Sequence, residues 1–175
     1  MTEKQERILD TALRLFAELG YSATSTSKVA KEAGVSEGLI FRHFQNKEGL
    51  LDAIMKLGED RLKTLFADIV MESDPQQIIS KTLGLAKTIA SDEYQMNFWR
   101  LQYKLKWELE YYNSQKMEPL RIALSNAFSK LNYEDPDKEA DIILVLLDGL
   151  AMRLFLEENG KIDTMTDFLI EKYKE

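Results

Sequence analysis

Apolar residues recur along the chain every three or four positions, the spacing that places them on one face of an α-helix. No stretch alternates between apolar and polar residues with the period of two that is typical of strands. Gly, Pro, Asp and Ser interrupt the apolar pattern at short intervals and mark helix ends. The pattern predicts an all-α fold of about nine helices: one from near Ile8 that ends at Gly20, then 26–33, 37–43, 47–71, 76–90, 93–113, 116–131, one that begins at Asp135-Pro136-Asp137 and reaches Glu158, and 163–174.

Two of the predicted helices, 26–33 and 37–43, are short and are joined by a tight turn at Gly34. Ala30 and Ala33 are small enough for another helix to cross closely, and Gly34 can adopt the left-handed backbone that the turn needs. Two short helices joined in this way behind a longer one are the layout of a helix-turn-helix DNA-binding unit. The outer face of the second short helix, where a major groove would lie, carries Glu37, Gly38, Phe41 and Arg42.

Polar and basic side chains flank this second short helix at helix ends. Helix N-termini and short polar or basic side chains are the usual protein contacts to DNA phosphates. Each residue also has a plain structural interpretation, because Thr26 and Asn46 are predicted N-caps and His43 can be an ordinary helix-end histidine. Their grouping around one outward helix favours DNA binding by Ser25, Thr26, Ser36, His43 and Lys47.

Residues 26–51, TSKVAKEAGVSEGLIFRHFQNKEGLL, strongly resemble the DNA-binding segment of the TetR family of bacterial transcriptional regulators, and with the first helix the resemblance covers about residues 5–54. The resemblance implies that helix 37–43 enters the major groove, that Thr26, His43 and Lys47 contact phosphates, and that Glu37, Gly38, Leu39, Phe41 and Arg42 face the groove. The family commonly has Tyr where this chain has Phe41, so a hydroxyl contact to phosphate is expected to be missing here.

Charge is distributed unevenly along the 175 residues. The formal net charge of −7 argues against general affinity for nucleic acid, yet residues 1–50 hold seven basic and seven acidic side chains and are neutral. The acidic excess therefore lies in residues 51–175. This asymmetry indicates two tasks on one chain, and we predict a DNA-binding domain over 1–46 and a helical effector-binding and dimerisation domain over 47–175.

The composition excludes several kinds of chemistry. The absence of Cys and the single His remove disulfides, thiolate nucleophiles, most zinc sites and nearly all histidine-based triads. Gly34-Val35-Ser36-Glu37-Gly38 matches the hydrolase pattern G-x-S-x-G, but that motif requires a preceding strand and this one follows a helix. We therefore predict no catalytic residue, metal or cofactor, and no enzyme. Without an apolar run of about 18 residues or a signal peptide, the protein is expected in the cytoplasm, away from the membrane.

Helix 93–113 carries apolar residues on two nearly opposite faces, whereas a surface helix needs one. One stripe contains Tyr94, Phe98, Leu101, Leu105, Leu109 and Tyr112, and the other contains Met96, Trp99, Tyr103 and Trp107. Both stripes can be ordinary packing. The family resemblance implies a small-molecule pocket in the C-terminal helices, so the second stripe is also a candidate binding site for an unidentified small hydrophobic effector.

Residues 142–156 are apolar almost all round and need cover on every side. A single buried central helix would satisfy this pattern. The resemblance implies instead that the last two helices form a homodimer interface, which suits a palindromic operator in double-stranded DNA. The candidate interface residues are Leu147, Leu150, Leu154, Phe155 and Phe168.

Together these features predict a dimeric TetR-like repressor that a small hydrophobic ligand releases from its operator. Two alternatives remain open at this point. One is a helix-turn-helix regulator without a ligand, and the other is a helical carrier of hydrophobic small molecules. Operator binding and its dependence on ligand separate the three.

Overall fold

The computed structural model describes residues 1–110, 114–156 and 162–174, and within these ranges the chain forms nine α-helices, one 3₁₀ turn (Ser114–Met117) and no strand. The predicted all-α fold is confirmed. The helices are α1 (Glu3–Leu19), α2 (Thr26–Ala33), α3 (Glu37–Phe44), α4 (Lys47–Val70), α5 (Pro75–Ala90), α6 (Glu93–Glu108), α7 (Glu118–Lys130), α8 (Pro136–Leu156) and α9 (Ile162–Lys172).

The described residues form two compact units. The first unit contains α1, α2, α3, α4 as far as Arg61, and α6. In it α1 packs against both α2 and α6. Fully buried side chains from all five helices make its core. Burying one such aliphatic or aromatic side chain is worth about 1.5–3 kcal/mol relative to leaving it exposed. These include Ile8, Phe16, Val29, Ile40, Leu50, Phe98 and Leu101.

The second unit contains the rest of α4, α5, and α7 to α9. Helix α5 packs against α7, α8 and α9, and α7 packs against α8. The core is aliphatic around Phe128, whose ring meets Tyr133 and Tyr173 edge to face at centroid distances of 4.9 and 5.8 Å. At the surface, Lys87 of α5 donates a 2.6 Å hydrogen bond to Asp167 of α9.

Two predicted helices differ from those observed. Helix α6 ends at Glu108, five residues before the predicted end, and Glu110 then has a positive φ of 52° that no right-handed helix contains. The helix predicted from Lys116 begins instead at Glu118, because Pro119 favours the first turn of a helix and a 3₁₀ turn precedes it. The predicted ends at Asn113 and Glu158 lie outside the described residues, and the predicted domain boundary at residue 46 stays a prediction.

Within the described ranges, no helix combines the length and the apolar composition that crossing a bilayer demands.

Candidate nucleic-acid interface

The turn between α2 and α3 has the geometry of a helix-turn-helix unit. Gly34 is left-handed (φ 63°, ψ 39°), and the next amide, that of Val35, donates to the Ala30 carbonyl at 3.0 Å. This pair of features is the common glycine ending of a helix, and it turns the chain directly into α3. Ala30 and Ala33 are buried at 4% and 5% exposure. The predicted turn is confirmed, and both alanines lie in the core, as a closely crossing helix requires.

Helix α3 buries one of its eight residues, Ile40. Among the other predicted groove residues, Phe41 is 44% exposed, Gly38 and Arg42 are exposed, and Glu37 and Leu39 are half-buried. Because α3 has a single buried residue, several of its side chains are free to enter a major groove, where contacts to base edges determine sequence specificity. Because residue 41 is Phe and not Tyr, its exposed ring is apolar and carries no hydroxyl.

Hydroxyl side chains at the starts of α2 and α3 are arranged differently from the sequence prediction. Ser25, with extended backbone, is the N-cap of α2, and its Oγ accepts from the Lys28 amide at 3.1 Å. The predicted cap at Thr26 is therefore wrong by one residue. The Thr26 hydroxyl instead donates to Oε1 of Glu37 at 2.6 Å and links α2 to α3. Ser36 stands at the N-cap of α3, and its side chain makes no capping hydrogen bond.

Two residues beyond α3 complete this surface. Asn46 caps α4 as predicted, with its Oδ1 accepting from the Gly49 amide at 2.7 Å. The Lys47 ammonium lies 4.2 Å from the centroid of the Tyr21 ring and 3.5 Å from the Ser22 carbonyl oxygen. Partial burial lowers the pKa of Lys47, and the Glu108 carboxylate opposes that shift.

His43, in the last turn of α3, is half-buried and contacts the first turn of α1. Its Nδ1 lies 3.2 Å from the amide nitrogen Nε2 of Gln5. The sequence reasoning missed Gln5, although Thr2 and Gln5 have the spacing of a capping box that opens α1.

The C-terminal end of α6 is hydrogen-bonded to the last turn of α1 and to the loop that follows it. Oε2 of Glu108 accepts from the Ser22 amide at 3.0 Å, and the Lys104 ammonium donates to the Glu18 carbonyl at 2.7 Å. Gly20 is left-handed (φ 97°), and a Cβ there would lie 2.5 Å from Oε1 of Glu108. The helix with the candidate ligand stripe therefore touches the loop that leads into the helix-turn-helix.

Residues 8–54 match the model of the tetR family of bacterial regulatory proteins. The uncharacterized HTH-type transcriptional regulator YerO of Bacillus subtilis (strain 168) is 34% identical over 88 residues, which cover 48% of this chain and 30% of YerO. Residues 8–54 are therefore similar to the DNA-binding segment of the tetR family. The chain spans about a third of the length of the curated relatives it matches, and these relatives are described as transcriptional regulators.

Solved tetR-family structures share the fold over nearly the full chain. The TetR family transcriptional regulator PfmR from Thermus thermophilus has a TM-score of 0.73 at 18% identity, covering 100% of both chains. AibR, solved in complex with isovaleryl coenzyme A and operator DNA, has a TM-score of 0.73 at 19% identity, covering 97% of both chains. At these identities the likeness establishes a common tetR fold.

Outside the tetR-family segment, α6 buries its two stripes unequally. Phe98, Leu101 and Leu105 of the first stripe are buried, and Gly58 of α4 comes so close that a Cβ there would lie 2.0 Å from the Phe98 ring. In the second stripe Trp99 is 9% exposed, Met96 and Tyr103 are half-buried, and Trp107 is 81% exposed. The indole Nε1 of Trp99 is buried and has no hydrogen-bond acceptor among the residues that the structure describes.

The candidate interface residues of α8 and α9 also separate by burial. Leu147 and Leu150 are each 4% exposed inside the second unit, Leu154 and Phe155 are half-buried, and Phe168 is 62% exposed. The sequence did not identify which residues of α8 form its exposed apolar face. This face follows helical spacing, and Met165 and Phe168 of α9 are exposed as well. The members of the face on α8 are Ile142 (46%), Val145 (70%), Met152 (44%) and Leu156 (77%).

Proposed function

We propose that this chain is a transcriptional repressor of the TetR type, which binds a palindromic operator as a homodimer and is released by a small hydrophobic ligand. The observation that carries the DNA-binding part is α3, which buries Ile40 and exposes Gly38, Phe41 and Arg42 within a segment that matches the tetR family model. The function is regulatory rather than catalytic, and it is exercised on the chromosome in the cytoplasm. The proposed groove contacts are Glu37, Gly38, Leu39, Phe41 and Arg42, and the proposed phosphate contacts are Ser25, Thr26, Ser36, His43 and Lys47.

A selection of genomic fragments by the purified protein tests this proposal, and it should return an inverted repeat. Arg42→Ala should relax the preference at particular base pairs, with a cost of about 1–3 kcal/mol on the wild-type site. Lys47→Ala should weaken all duplexes alike and reduce the salt slope by about one. Lys56→Ala, which removes the same charge from an exposed position of α4 outside the proposed interface, is the control. A selection that returns no motif above background would refute the regulator.

The exposed apolar face of α8 supports the homodimer. Four large apolar side chains on one face of α8, with Phe168 on the neighbouring α9, exceed the scattered exposure that a monomer shows. A two-fold dimer through these helices covers that face and presents two copies of α3 to the two halves of a palindrome. In this arrangement Leu147 and Leu150 support the interface from behind, while Phe168 and the half-buried Leu154 and Phe155 lie nearer the partner.

The Trp99 indole supports the ligand, because its buried N–H meets no acceptor within the described part of the chain. A buried N–H without an acceptor costs about 1–3 kcal/mol, so a carbonyl or carboxylate oxygen supplied by a bound molecule would remove that cost. Met96 and Tyr103 flank Trp99 on the same stripe and give the apolar contact area that such a molecule needs. The ligand we propose is therefore hydrophobic with one hydrogen-bond acceptor. A change in α6 on ligand binding would be transmitted to the DNA-binding domain through the hydrogen bonds of Glu108 to Ser22 and of Lys104 to Glu18.

The two tryptophans of the chain make this testable with single-tryptophan variants. Trp107→Phe retains the buried indole, and Trp99→Phe retains the exposed one as the matched control. Octanoate, octanol and isovaleryl coenzyme A should change the emission of the Trp107→Phe variant saturably, whereas octane, which has no acceptor, should bind more weakly.

An active probe should also change operator affinity by about 5–150-fold. If no probe changes the emission and the Trp99 indole proton exchanges with solvent as fast as that of Trp107, the pocket at Trp99 is refuted. A response confined to the Trp99→Phe variant would instead favour Trp107 as the ligand contact.

A further inference from the structure

Gln5 connects the first turn of α1 to the last turn of α3 through both ends of its side-chain amide. Its Oε1 accepts from the Thr2 backbone amide at 2.8 Å, and its Nε2 lies 3.2 Å from Nδ1 of His43. A second hydrogen bond joins the same two residues, because Oγ1 of Thr2 accepts from the Gln5 backbone amide at 3.3 Å. The capping box that opens α1 therefore also holds the side chain that touches His43.

These contacts determine which nitrogen of the imidazole carries hydrogen. An amide oxygen accepts and an amide nitrogen donates, so the Thr2 bond fixes which end of the Gln5 amide faces His43. That end is the NH₂ group, and a neutral imidazole can bond to it only by accepting at Nδ1. Its single hydrogen then resides on Nε2, the nitrogen that Gln5 does not contact.

We propose that Gln5 is a positioning residue that holds His43 in the Nε2–H tautomer, so that this N–H donates to a phosphate oxygen of bound DNA. The phosphate part rests on the proposed function, and the tautomer part stands on the free protein alone. The other tautomer would present a lone pair at Nε2 to an anion, which loses a charge-assisted hydrogen bond and adds repulsion. A donor held in place before DNA arrives also loses less conformational freedom on binding.

The first test is the ¹⁵N NMR spectrum of the imidazole at a pH at which it is neutral. His43 is the one histidine of the chain, so its signals need no assignment. The wild type should show hydrogen on Nε2 and a bare Nδ1. Gln5→Glu replaces the donor with an acceptor and should move the hydrogen to Nδ1, whereas Gln5→Met should give averaged signals.

Lys4→Gln is the matched control for the charge that Gln5→Glu introduces, because it makes the net charge one unit more negative at an exposed position of the same turn. Its spectrum should match that of the wild type. Circular dichroism establishes that each variant is folded. A wild-type imidazole with hydrogen on Nδ1, or a Gln5→Glu spectrum unchanged from the wild type, would overturn the proposal.

The second test is a double-mutant cycle on operator affinity with His43→Phe. Gln5→Glu should weaken operator binding by about 10-fold to 100-fold beyond the Lys4→Gln control, the range expected for losing a hydrogen bond to a charged group. In the His43→Phe background the same change should cost no more than the charge control. Equal losses in both backgrounds would show that Gln5 acts independently of His43 and would overturn its positioning role. If the wild type selects no operator, the regulator fails, while the NMR test still decides the tautomer.

Discussion

Replacing Val145 with glutamate places a carboxylate in the middle of the exposed apolar face of α8. Val145 is 70% exposed within one protomer, so the substitution removes little from the protomer's own core. In the proposed dimer both copies are covered, and two valine side chains contribute on the order of 3–6 kcal/mol of association at about 1.5–3 kcal/mol each. Since about 1.4 kcal/mol is tenfold in affinity, dimerisation should weaken by on the order of 10²–10⁴. Burying the two carboxylates adds to this loss.

Leu147→Glu is the matched control, because the same charge enters α8 two residues further on at a side chain that is 4% exposed. A carboxylate buried there without a partner costs several kcal/mol of folding free energy, so this variant should unfold. Sedimentation across a dilution series gives the dimer constant, and circular dichroism gives the helix content and Tm. Val145→Glu should be a folded monomer with reduced operator affinity. A Val145→Glu variant that dimerises as the wild type does, or one that unfolds together with Leu147→Glu, would refute the interface.

Three further predictions concern stability. Gly34→Ala should lower the free energy of unfolding by about 1–2 kcal/mol, because Gly34 has a φ of 63°. Gly34→Asn should lower it less, since Asn tolerates the left-handed region. Equal losses of the two variants in denaturant titrations would contradict backbone strain as the cause. Gly58→Ala drives a methyl group into the buried Phe98 ring and should destabilise by about 1–3 kcal/mol. At Gly84 an added Cβ would meet no described atom within 4 Å beyond its chain neighbours and the nearby backbone of its own helix, so Gly84→Ala should instead raise Tm, with a gain of about 0.4–1 kcal/mol in the free energy of unfolding. A loss of stability at both sites would speak against the close contact between Gly58 and Phe98. The Lys81 ammonium and the backbone amides of Asp74 and Ser73 lower the pKa of Glu72 from 4.5 to about 2. The contribution of the ionised Glu72 to the stability of the fold is therefore complete above pH 4.5 and is lost as the pH falls through 2. Glu72→Gln should therefore lower Tm at neutral pH and match the wild type near pH 2, and a Tm difference that does not vary with pH would argue against the ionised hydrogen bonds.

Features that depend only on neighbouring residues could be predicted from the sequence. Helix content, the Gly34 turn and the Asn46 cap follow from side-chain spacing and backbone preference within a few residues, so each could be predicted correctly. The outward face of α3 followed as well, because Ile40 is the residue whose spacing points to the core. Local rules were less exact at helix ends, where Ser25 rather than Thr26 caps α2 and a left-handed Glu110 follows the end of α6.

The contacts between residues far apart in the chain, and the covered face of a helix that is apolar on several sides, depend on how the helices pack. The Gln5–His43 contact spans 38 residues and the Ser22–Glu108 contact spans 86, and no local pattern encodes either pairing. Helix α8 is apolar on several sides, so its sequence could not distinguish the buried Leu147 from the exposed Val145. The same is true of Trp99 and Trp107 on α6, where two apolar stripes leave no single preferred direction. Periodicity identifies a face only when the opposite face is polar, and in these helices the packing of neighbouring elements made the choice.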